Sequence, residues 1–253
     1  MPRFPTPTFP VTPPIAEVIL EVDFSLAQGQ PWNPSFVGDF FTKIQPRYPI
    51  MEPLVEQGVE FQRQGDTFVS RALPPRQRAL FRPEAGGYVV QLMEGRIVLN
   101  VLPLYPGWAR VRQEMGAVWE TLQQALPPPE VSRLGLRYVN KFARAGVDDL
   151  LARWLHEGPY VSQAVLSAQG EFTSTQKISR SPSEVVQVIL AGLPPGQDAP
   201  FGTFVFDIHC AIQASGKGMA MLDAFDNLHG KVRSIFDEAK GQALQKLMTP
   251  PAP

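Results

Sequence analysis

The chain has 253 residues, 44% of them hydrophobic and 19% charged, with a formal net charge of -1. That length buries roughly 70–75% of the unfolded surface, so neither disulfides nor metals are needed for a core. Near-neutrality excludes the broad positive field of a nonspecific nucleic-acid binder, and no apolar run reaches the roughly 20 residues that span a bilayer.

The single cysteine, Cys210, excludes an internal disulfide framework and fits a reducing compartment. The amino terminus lacks the basic-then-apolar profile of a secretory signal. The expected setting is soluble and cytoplasmic. The 27 prolines fall between elements, where a fixed φ and a missing donor punctuate a chain. Residues 1–14 read as an extended proline-rich arm and residues 248–253 as a tail.

Residues 15–24 alternate: Val18, Leu20, Val22 and Phe24 share one face, and Glu17, Ile19, Glu21 and Asp23 the other, as in a half-buried strand. Asn33 and Pro34 then open a helix whose stripe is Val37, Phe40, Phe41 and Ile44. Short β segments are expected near 59–63, 67–73, 77–82 and 88–93. The last turns at Glu94-Gly95 into a strand at 96–102. Trp108, Val111, Met115, Val118, Leu122 and Ala125 recur at helical spacing until Pro127-Pro128-Pro129 ends the run.

Residues 131–247 repeat the plan. In the strand at 133–142, Leu134, Leu136, Tyr138 and Phe142 share a face. A short helix is expected at 148–155, strands near 161–167, 171–178, 185–190 and 203–212, and a closing helix through Leu222, Phe225, His229, Val232, Phe236 and Ala239. The expected fold class is α+β: two matched halves, 15–126 and 131–247, each β-α-β(3–4)-α, with mostly antiparallel sheet and two long helices packed on one face. The opening strands carry opposite signs on their polar faces, Glu17, Glu21 and Asp23 against Arg133, Arg137 and Lys141. Antiparallel pairing of these strands would join the halves by cross-strand ion pairs.

Three segments carry a family resemblance: Pro14-Ile15-Ala16-Glu17-Val18, Gly135-Leu136-Arg137-Tyr138-Val139-Asn140, and Leu228-His229 followed by Phe236. In order and spacing they resemble a sporadically distributed prokaryotic family of similar length, the "sporadTIGR" proteins, which has no established function. The resemblance implies a bacterial or archaeal cytoplasmic protein of patchy distribution, as defence genes and mobile two-gene cassettes have. It carries over no catalytic residue. Ala239-Lys240 stands where the resemblance expects an Ile-Thr-like ending.

The candidate catalytic residues are Asp207, His209 and His229. Asp207 and His209 lie two apart on one strand face, where a carboxylate beside an imidazole can tune a base. The alternative is a solvated, lightly paired face. His229 sits on an apolar stripe as a general base, or as a buried histidine with one partner, which the matching Met115 favours. The candidate binding residues are Arg137, Tyr138 and Asn140, with Asn140 read as structural, and the basic loop of Arg71, Arg76 and Arg78.

Gly216-Lys217-Gly218 lacks the spacing of a phosphate loop, and there is no dinucleotide fingerprint, nucleophile elbow or paired-cysteine motif. No metal or cofactor is expected. The expected function is a non-catalytic binding or assembly protein whose partner is another protein or a second copy of the chain. A saddle-like nucleic-acid binder and a hydrolase or nuclease using Asp207, His209 or His229 are the alternatives.

Overall fold

The computed structural model describes residues 14–27, 30–56, 59–64, 67–72, 76–214 and 220–248, without the side chains of 56–76 and 247. The strands are β1 (Ile15–Leu26), β2 (Ile50–Glu56), β3 (Val59–Gln64), β4 (Thr67–Ala72), β5 (Arg76–Arg82), β6 (Tyr88–Met93), β7 (Arg96–Val101), β8 (Pro129–Ala143), β9 (Phe172–Ser181), β10 (Glu184–Leu193) and β11 (Thr203–Gln213). The helices are α1 (Ser35–Ile44), α2 (Trp108–Ala125), α3 (Gln163–Leu166), α4 (Met221–Ala239) and α5 (Gln242–Met248).

Nine strands form one sheet in the order β2-β5-β6-β7-β1-β8-β11-β10-β9, every pair antiparallel, while β3 and β4 pair with each other. The centre of the sheet is the β1–β8 pair. Val22 lies opposite Leu134, Leu20 opposite Leu136 and Val18 opposite Tyr138. All six are buried, so a one-residue slip of either strand would turn its apolar row out of the core. Flanking strands extend this inner face with Ile97, Leu99 and Val101 of β7 and Phe204, Phe206, Ile208 and Cys210 of β11.

Helix α4 lies on β8 and β11, with Phe236 stacked on Phe206 at 5.9 Å. Helix α2 lies chiefly against α1 and α4. Tyr48 and Arg47, just past α1, both donate to the Glu114 carboxylate of α2, the tyrosine at 2.6 Å. Local chemistry sets the helix ends. The Asn33 side-chain oxygen accepts from the Ser35 N–H at 3.0 Å, a side-chain bond that satisfies an orphan donor of the first turn. Gly107, at φ 93°, supplies the left-handed turn that starts α2.

The α+β expectation is corrected. Among the described residues the architecture is mostly a single nine-stranded antiparallel sheet with five shorter helices, and is not two long helices packed on a sheet face. The physical reason lies with the helices: α4 rests on β8 and β11, while α2 packs chiefly against α1 and α4 and so does not form a matching second helix on the sheet. Two local expectations also change. Residues 161–167 hold α3, with the Ser162 carbonyl accepting from Val165 and Leu166. Residues 148–155 hold only a 3₁₀ turn at Leu151–Arg153. Strand β2, which the sequence pattern did not mark, ends one edge of the sheet. Its proline is tolerated there because an edge strand needs only half its donors. Apart from Pro14 and Met248, the arm and the tail lie outside the described residues.

Candidate functional site at the strand seam

The outer face of the sheet carries the polar residues of each alternating strand. On β8, Arg133 and Arg137 point there. On β1 it is Glu17, Glu21 and Asp23, on β7 Arg96 and Asn100, and on β11 Asp207 and His209. These side chains close into a network. Arg133 Nη1 donates to Glu21 Oε2 at 3.0 Å and to Asp23 Oδ2 at 3.2 Å. Arg96 grips Asp23 from the other side with two donors. Arg137 Nε donates to Asp207 Oδ1 at 2.8 Å, and its Nη2 to Oδ2. A second chain runs sideways: Arg78 Nη1 donates to Gln91 Oε1 at 2.9 Å, Gln91 to Asn100, and Asn100 Nδ2 to Glu17 Oε1 at 2.6 Å.

The middle of this network is built over a glycine. Gly135 stands opposite Glu21 on β1 and Ala211 on β11. A Cβ there would lie 2.7 Å from Glu21 Oε2, 3.0 Å from His209 Nε2 and 3.4 Å from Arg133 Nη2. The missing side chain is what lets a carboxylate, an imidazole and a guanidinium converge. His209 Nε2 lies 3.6 Å from Glu21 Oε2 and 3.4 Å from Arg133 Nη2. The His209 ring, and then Arg133, pull the Glu21 carboxyl down to about 2 against the opposing effect of burial. Glu21 is therefore an anion at any working pH. It acts as a fixed acceptor and is too weak a base for proton abstraction.

A separate cluster sits on the inner side, between β8 and the helices. Tyr138 OH lies 3.1 Å from His229 Nδ1 and 3.0 Å from Tyr105 OH. The His229 ring stacks on Trp108 at 4.3 Å with 7° between planes. Trp108 Nε1 donates to Asp226 Oδ1 at 2.7 Å, and Arg112 Nε holds the same carboxylate at 2.8 Å. Burial first, then Arg233, lowers the pKa of His229, favouring the neutral ring. Burial raises that of Tyr138.

The structure thus separates the catalytic candidates. Asp207 and His209 share the outer face, but each meets a different partner, Arg137 and the Glu21–Arg133 pair. His229 lies across the sheet from both. Met115, its expected counterpart on α2, is wholly buried among apolar side chains, while His229 is half-buried and hydrogen-bonded. Asn140 is buried and donates Nδ2 to the Phe206 carbonyl at 2.9 Å, the structural role expected of it. Arg78 belongs to the sideways chain. The side chains of Arg71 and Arg76 lie outside the described residues.

Sequence reasoning missed Gly135 as the floor of the trio, and Tyr105, Trp108 and Asp226 as partners of His229. Only the polar alternation around Gly135 signalled the first, and no local pattern marked the second.

Among the described residues, no cluster of three or more His, Cys, Asp or Glu could hold a metal ion, and no helix is long and apolar enough to cross a membrane. No protein-family model matches the chain, and no curated protein is significantly similar to it.

Proposed function

We propose that this is a non-catalytic binding or assembly protein that meets another protein across the outer face of the sheet around the β1–β8 seam. One observation carries the reading: charged side chains from β7, β1, β8 and β11 are tied together before any partner arrives. Side chains already held by their neighbours lose little rotamer freedom on docking. A mosaic of compensated charges selects a partner by pattern, with little long-range field. Nucleic acid fits less well, because phosphate binding needs uncompensated cations and Arg96, Arg133 and Arg137 each carry a carboxylate.

The reading places the protein in the cytoplasm of a prokaryote, consistent with one buried thiol. Its resemblance to a patchily distributed family adds a two-gene cassette, defence-linked or mobile, as the setting, with the partner encoded alongside.

Ile19 offers the test. It stands on the outer face between Asn100 and Arg137, and is half-buried. Wild-type and Ile19→Arg chains, matched by circular dichroism, would be isolated from native host cells and their stoichiometric partners quantified by mass spectrometry. The expected result is one partner retained by the wild type and lost by the variant. Equal recovery by both chains, or no partner on either, defeats the reading.

A further inference from the structure

Arg144, the residue that follows β8, is a buried cation without a counter-charge. It is 8% exposed, yet among the described residues no carboxylate pairs with it, whereas Arg96, Arg112, Arg133 and Arg137 each hold one. Its guanidinium lies 4.4 Å over the Phe204 ring and donates Nη2 to the Gly170 carbonyl at 2.8 Å. Nε is buried with no acceptor, and Nη1, which is not sealed off, meets none among the described residues. A ring face and a neutral carbonyl lower the cost of burying a cation but do not neutralise it. Two glycines shape the position. Gly202, at φ 93°, accepts the Arg144 N–H at 3.0 Å, and a Cβ on it would lie 2.4 Å from the Leu193 carbonyl oxygen and 3.5 Å from Arg144 Cδ. Gly170, at φ 67°, supplies the carbonyl that Nη2 meets. Asp149, buried in the following turn, is taken by the Ala145 N–H, Trp154 Nε1 and Arg153. Asp148, Glu171 and Asp198 of the flanking loops are exposed, where solvent screens their charges.

We propose that Arg144 anchors a binding site for a carboxylate carried on an apolar group, at the end of the sheet where β8 and β10 stop and β11 starts. One unpaired positive charge balances one negative charge. A phosphate dianion would ask for a second free cation, and Arg153, the other arginine of these loops, is spent on Asp149 and Trp154. Phe204 closes one face of the guanidinium, so a ligand approaches its edge at Nη1, in the plane that suits a carboxylate. The apolar requirement comes from the same loops: Val147, Leu193 and Phe201 are 75%, 40% and 41% exposed. Apolar surface joined to a single well-placed charge is the composition of a site for an amphiphilic acid. A free organic acid and the last residue of a peptide both present this chemistry. The site lies at the strand ends, away from the β1–β8 seam, so this inference stands or falls apart from the functional reading above.

The test is an NMR titration of the purified full-length chain at neutral pH, read at the Arg144 Nε–H and at the backbone amides of Gly170 and Gly202. The probes are hexanoate, N-acetyl-leucine, their uncharged amides, acetate and inorganic phosphate. Hexanoate or N-acetyl-leucine should move these three signals and saturate in the millimolar range, while the amides and phosphate leave them in place. The tighter of the two acids names the source, a free acid or a peptide end. Acetate, shorter than hexanoate by four methylenes that are only partly covered, should bind about tenfold more weakly. Arg144→Lys keeps the charge and loses the planar fork, and should weaken the better acid at least about tenfold with an unchanged circular dichroism spectrum. No movement with either acid, equal movement with the amides or phosphate, or full affinity in Arg144→Lys overturns the proposal. Acetate binding as tightly as hexanoate overturns its apolar half. The wild-type titration decides the matter even if the variant fails to fold.

Discussion

Replacing Glu21 with glutamine tests the seam most directly, because it removes the charge and keeps the shape. The Glu21 carboxyl is drawn from 4.5 to about 2, chiefly by His209 and then by Arg133. Between those values the unfolded chain binds a proton that the folded chain does not, so stability rises with pH across the window. The contribution is complete above 4.5 and is lost as pH falls through about 2. At about 1.4 kcal/mol per pH unit it amounts to about 3 kcal/mol. Glutamine resembles the protonated acid and cannot titrate. Urea unfolding followed by circular dichroism at pH 6, 5, 4 and 3 should find Glu21→Gln less stable by about 3 kcal/mol at pH 6. The gap should narrow to about half that at pH 3. A gap that stays constant with pH, or no gap at pH 6, would refute the claim that the seam holds this carboxylate as an anion.

Gly135→Ala should push Glu21 and His209 apart and cost about 1–3 kcal/mol. The Glu21 carboxyl should then titrate closer to its ordinary value by NMR. Arg137→Met leaves the buried Asp207 carboxylate unpaired and should cost about 3–5 kcal/mol in thermal or urea unfolding, most of it recovered by adding Asp207→Leu. Tyr138→Phe strands Tyr105 OH and His229 Nδ1 and should cost about 1–3 kcal/mol, with altered Trp108 fluorescence if the stacked pair loosens. Cys210, buried with its thiol pushed up to about 12, should resist thiol reagents in the native protein and react once urea unfolds the chain.

The alternation of residues 15–24 and 133–142 was legible because a strand with one buried face must repeat every second residue. The same logic led from opposite charges on the two polar faces to their antiparallel pairing, and β1 and β8 do pair, with Arg133 on Glu21 and Asp23. The second half of that argument failed for Arg137. Charge alone nominated a β1 acid, but Ile19 stands opposite it on that side, and the available carboxylate is Asp207 on β11. Pairwise reasoning between two strands cannot see a third. The β2 edge was missed because Pro53 interrupts its donors and apolar residues fall on both faces, so no alternation marks it. The segment at 161–167 read as a strand from its valines, but four residues of helix with the Ser162 carbonyl as acceptor won locally.

The run Gly135–Asn140 shows how one short segment supplies both faces of the sheet. Gly135 is the only one of the six without a side chain, and it sits where three side chains from three strands meet. Leu136 fills the core, Arg137 neutralises the buried Asp207, Tyr138 reaches across to His229, and Asn140 satisfies the Phe206 carbonyl. Successive residues of β8 thus supply the outer network and the inner cluster in turn. A change in strand register would exchange them, placing an arginine in the core and an asparagine over the ion pairs. The outer face can therefore be arranged only if the core is right.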